Sequence, residues 1–109
     1  MQPLPTQDIV LQDFLNGIAR VRPRISRLIL FGSRARGSHQ VDSDYDLLLV
    51  VAKKEKDLLD AFYEAVMDVL LTHGRLISLK VYEDREFVRL QELQTPFMKR
   101  IAEEGVPLG

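Results

Sequence analysis

The sequence predicts an α/β (α+β) domain, a small mixed sheet flanked by helices. Three observations carry that prediction. Short apolar runs within residues 27–31, 45–51 and 76–82 have the length and composition of buried strands. Around them, apolar residues recur at helical spacing between capping and breaking residues. At 109 residues the chain has the size of one unit, so 1–109 is read as a single domain.

The elements follow in order. Thr6 or Asp8 caps a first helix with apolar positions Ile9, Phe14, Leu15 and Ile18, and Pro23 stops it. Residues 27–31 form a short buried strand, Gly32 marks a turn, and residues 33–36 begin a short helix that Gly37 ends. The second strand, 45–51, is apolar on both faces, as a central strand covered by helices should be. Within 53–71, Leu58, Leu59, Phe62, Val66, Leu70 and Leu71 are spaced for a helix, and Gly74 closes it. Residues 76–82 make the third strand, and Glu83 or Asp84 opens a helix through Leu90. Thr95 caps a last helix with Pro96 in its first position, running to Gly105.

Composition narrows the function classes. With no cysteine, disulfides and thiolate metal sites are excluded. No membrane-length apolar stretch or secretory signal is present, so a cytoplasmic location is expected. Net charge is −1 at pH 7, so the chain as a whole is not built to hold a nucleic-acid backbone. Arg20, Arg22, Arg24 and Arg27 form a local basic group that reads equally well as a solvated rim; nucleic-acid contact is not favoured.

The chemistry concentrates in residues 32–46, where a Gly-Ser turn precedes two carboxylates, Asp44 and Asp46. Strand residues two apart share a face, about 6.5 Å from each other, so the pair converges on one cation or on two adjacent ones. Mg²⁺ takes an octahedral oxygen shell that water and substrate phosphates usually complete. Gly32 and Gly37 permit close backbone approach, and Ser33 offers a hydroxyl and an amide to phosphate oxygens. Arg34 and Arg36 are candidates for neutralising phosphate charge, though a helix cannot aim both into one pocket. This is the pattern of a metal-dependent phosphoryl-transfer site. The rival is a glycine-turned hairpin with a solvated charged rim. His39 reads as exposed and His73 as a helix-end residue; neither supplies a nucleophile or a zinc site.

Gly32-Ser33-Arg34-Ala35-Arg36-Gly37 followed by Ser43-Asp44-Tyr45-Asp46-Leu47 resembles the minimal nucleotidyltransferase (MNT) domains of the DNA polymerase beta-like superfamily, in particular stand-alone antitoxin-type members. The resemblance implies a nucleotidyltransferase-like fold over the whole chain. It places Gly32, Ser33 and Arg36 at the nucleotide, and makes Asp44 and Asp46 catalytic metal ligands. Active members usually add a third carboxylate from a later strand. Here that strand carries Ser78 and Lys80 on the relevant face, with Glu83 and Asp84 near its end. Ser78, Lys80 and Glu83 are the candidate substitutes.

The resemblance therefore implies a Mg²⁺-dependent transferase that moves a nucleoside monophosphate to an acceptor hydroxyl. The substrate would be ATP or another nucleotide triphosphate, and AMP the group transferred. Little chain is left for an acceptor pocket, so a separate helical protein partner or a homo-oligomer is expected. The alternative is a catalytically weak or inactive interaction module, an antitoxin that acts by binding a helical partner.

Overall fold

The computed structural model describes residues 8–37 and 44–108. Thr6, His39 and Ser43 lie outside them. The element order is α1 (Ile9–Gly17), a 3₁₀ helix (Ala19–Arg24), β1 (Ile25–Phe31), α2 (Ser33–Arg36), β2 (Tyr45–Val51), α3 (Lys56–His73), β3 (Ile77–Glu83), α4 (Asp84–Leu93), α5 (Pro96–Glu104) and β4 (Val106–Pro107). The strands form a mixed sheet in the order β3-β2-β1-β4. β2 is parallel to β3, while β1 is antiparallel to both β2 and β4. The mixed sheet flanked by helices is the predicted class.

β2 is the central strand because its sequence leaves it no solvent face. Leu47, Leu48, Leu49, Val50 and Val51 are all buried, and each contributes about 1.5–3 kcal/mol of burial. Their alternation divides two cores. Tyr45, Leu47, Leu49 and Val51 pack under α1 and α3 with Phe14 and Phe62. Leu48 and Val50 face the other way, towards Phe31, Phe87, Met98 and Ile101 beneath α4 and α5.

Local signals set most boundaries. The Asp8 side chain caps α1 by accepting from the Val10 and Leu11 amides. α1 stops at Gly17, before Pro23, and the chain tightens into the 3₁₀ helix that contains that proline. A Cβ on Gly17 would lie 3.0 Å from Ala65 Cβ, so glycine lets α1 cross α3 closely. Gly74 ends α3 in the left-handed region, and Thr95 caps α5 with Pro96 following. α4 runs three residues beyond the expected Leu90, entered through a capping box between Glu83 and Glu86. The two-residue β4, absent from the sequence reading, pairs with Ile29 and Leu30 of β1.

Candidate active site

The site is built at the end of the sheet where β1 finishes and β2 begins. Antiparallel register sets Phe31 opposite Asp46, and the chain turns at Gly32 directly after it. Gly32 adopts φ 77°, ψ −159°, a conformation essentially confined to glycine. A Cβ built there would overlap the Asp46 carboxylate at Oδ2. The missing side chain is thus what lets the Gly32-Ser33 turn close against the carboxylate. Ser33 opens α2, and Gly37 ends it in the left-handed region.

Asp46 is half-buried, while Asp44 is exposed just before β2 begins. Burial, then repulsion from Asp44, raises the Asp46 carboxyl above the ordinary carboxylate range; Lys80 and Arg36 pull it back. Two carboxylates repelling each other beside a cradle that a Cβ would fill fit a hard divalent cation, which removes that repulsion when bound. Among the described residues, no group of three or more His, Cys, Asp or Glu side chains is placed to hold a metal.

Parallel register puts Ser78 of β3 opposite Asp46 and Lys80 opposite Leu48. Ser78 and Lys80 therefore lie on Asp46's face of the sheet. Glu83 does not join them. It pairs with Val51 at the far end of β2, about 16 Å along the strand, and on the alternate parity. There its carboxylate accepts from the Lys54 amide at 2.8 Å and caps α4. As a third-site substitute Glu83 is corrected: the capping box occupies it.

The two arginines of α2 part company. Arg34 passes to the other sheet face, where its guanidinium stacks 3.8 Å over the Tyr45 ring and lies 3.9 Å from the Asp8 carboxylate. Tyr45 donates its hydroxyl to Asp8 at 2.7 Å, so α1, α2 and β2 meet in one network. Arg36 stays on the Asp46 side and pairs with Glu104 of α5 at 3.2 Å. Phe97 of α5 meets Phe31 edge-on, ring centroids 5.5 Å apart, and the Lys80 ammonium lies 5.9 Å from the Phe97 ring. Neither Phe97 nor Glu104 is among the site residues that the sequence pointed to. Both become visible once α5 is seen to fold back over Phe31, a long-range fact that no local spacing encodes.

Comparisons with known proteins bear on the family and the fold. Residues 14–108 match the family model described as Polymerase beta, Nucleotidyltransferase. MJ0604 of Methanocaldococcus jannaschii, named as an inferred protein adenylyltransferase, is 30% identical over 104 residues, covering 91% of this chain and 94% of that protein. Among solved structures, a chain from a toxin-antitoxin with AMP-PNP is 17% identical with a TM-score of 0.56, covering 90% of this chain and 71% of that one. A chain from the complex of a tri-AMPylated Shewanella oneidensis HEPN toxin with its MNT antitoxin is 15% identical with a TM-score of 0.52, covering 94% and 71%. At those identities the two structures share the fold. With the family model spanning most of its length, the chain belongs to the polymerase beta nucleotidyltransferase family.

Proposed function

We propose that this protein transfers AMP from Mg²⁺-ATP to a hydroxyl of a protein partner. The observation that carries the reading is the closure of Gly32 onto Asp46, which joins the nucleotide-type loop to the carboxylate pair. Asp44 and Asp46 would hold Mg²⁺, which supplies charge stabilisation on the transferring phosphoryl group. Ser33 and the Gly32 backbone orient the phosphates, and Arg36, anchored by Glu104, contributes positive charge from the same side. Adenylyl transfer and a protein acceptor are supported by the name of MJ0604 and by the tri-AMPylated toxin bound to an MNT antitoxin. A helical partner supplying the acceptor surface, cytoplasmic action and a single domain over 1–109 belong to the same reading. No helix among the described residues is long and apolar enough to cross a membrane.

The test is calorimetry of Mg²⁺-ATP on the folded protein, with the Asp44→Asn plus Asp46→Asn protein as control. Magnesium-dependent binding that disappears in the control is expected. A folded wild type that binds no nucleotide at millimolar concentration would overturn the assignment.

A second reading has its own observation. β3 sets Ser78 opposite Asp46, with Lys80 beyond it, where a carboxylate would serve catalysis. On that reading the chain acts as an antitoxin by binding alone. Incubation of the chain and its partner with α-labelled ATP separates the two: label on the partner supports transfer, and inhibition of the partner without label supports the binding module.

A further inference from the structure

Lys80 sits on an edge strand, where lysines often serve only to discourage strand pairing. Its surroundings point to something more specific. It lies on the sheet face of Asp46, one side-chain position beyond Ser78, which Asp46 faces across the register. It is also drawn towards the Phe97 ring at 5.9 Å, and Phe97 in turn packs edge-on against Phe31, the cross-strand neighbour of Asp46. Among the described residues, Lys80 makes no ion pair within 4.0 Å. Lys80 thus stands on the sheet face of Asp46, in no ion pair with another described residue.

Two strand residues span about 6.6 Å, roughly the length of a lysine side chain. Lys80 can therefore reach an anion lying over Asp46 without backbone movement. An ammonium there repels a metal ion and attracts phosphate oxygens. We propose that Lys80 is a substrate-binding residue for the phosphate chain of a nucleoside triphosphate, so that β3 contributes positive charge to the polyphosphate in place of a carboxylate to the metal. This rests on the nucleotidyltransferase reading and names a contact that the reading does not contain. Arg36 approaches Asp46 from α2 and Lys80 from β3, so the two cations would flank the phosphate chain.

The experiment is calorimetry of Mg²⁺-α,β-methylene-ATP on the full chain, comparing wild type with Lys80→Ala, Lys80→Gln and Lys80→Arg. Urea unfolding midpoints are measured on the same samples. Loss of one charge-assisted contact predicts roughly ten- to a hundredfold weaker binding for the Ala and Gln proteins. Lys80→Arg should recover to within about threefold, and the exposed position predicts unchanged midpoints. Neutral variants that bind within twofold of wild type would overturn the proposal and leave the nucleotide site standing. So would an Arg variant as weak as Ala. A folded wild type that binds no Mg²⁺-triphosphate at millimolar concentration would overturn the nucleotidyltransferase reading, and this contact with it.

Discussion

Replacing Gly32 with alanine perturbs backbone and site together. Holding a Cβ at φ 77°, ψ −159° costs about 1–3 kcal/mol. The added methyl also lands on Asp46, with Oδ2 overlapping and Cγ only 3.2 Å away. A carboxylate can swing about its own bonds, so this overlap displaces the Asp46 oxygen more than it adds to the stability loss. Gly74 is the internal control. It has φ 65°, ψ 26° with nothing within 4 Å of a built Cβ, so alanine there meets only left-handed strain, about 1–2 kcal/mol. Urea denaturation should show Gly32→Ala losing about 2 kcal/mol and Gly74→Ala about 1 kcal/mol. Calorimetry should show magnesium-dependent nucleotide binding lost in the first and retained in the second. A Gly32→Ala protein as stable as wild type, or one that binds Mg²⁺-ATP as wild type does, would refute the argument that this glycine shapes the carboxylate site.

Two further predictions concern protons. Burial, then the hydrogen bond to Asp8, pushes the Tyr45 phenol up to about 12, against roughly 10 when unfolded. A folded value above the unfolded one means that this stabilisation is complete below pH 10 and is lost as pH rises towards 12. The amount is on the order of 2–3 kcal/mol. The advantage of wild type over Tyr45→Phe in urea should shrink across that window; a constant gap would sink the idea. The raised Asp46 carboxyl works in the same direction at lower pH. Its contribution is present below the unfolded carboxylate value and is lost as pH rises through the folded one, so the ionised side chain costs stability at neutral pH. Without divalent metal, Asp46→Asn should raise the urea midpoint at pH 7, with a smaller gain near pH 3.5. A gain that grows on acidification would reverse the assignment.

The sequence was most legible where local chemistry and tertiary environment agree. β2 could be bounded correctly because its apolar run is buried on both faces. Thr95-Pro96 announced α5 because a cap and an N1 proline act within a single turn. α1 ended early, at Gly17, where the chain passes into the 3₁₀ helix that holds Pro23. β4 was invisible because Val106–Pro107 is too short to show a period, and its pairing comes from β1. Within the site, alternation put Ser78 and Lys80 on one face of their strand, and the register of β2 with β3 sets that face with Asp46. The fate of Glu83 was not readable, since a strand-end carboxylate and a helix cap look alike until register puts Val51 beside it. Arg34 and Arg36, two apart on one helical turn, had to diverge. Which sheet face each would take depended on Tyr45 and Glu104.

β4 has a consequence beyond closing the sheet. β1 carries the run Leu28-Ile29-Leu30-Phe31, and β2 satisfies one of its edges. Its other edge is covered at Ile29 and Leu30 by a two-residue strand, with the Leu108 amide bonding the Leu28 carbonyl at 2.8 Å. Proline within that strand has no amide to offer a further chain. The segment therefore acts as a stopper against edge-to-edge growth, shielding one of the most aggregation-prone stretches of the molecule. Loss of residues 106–108 would threaten solubility before it touched the carboxylates, because it uncovers a β-edge rich in leucine and isoleucine.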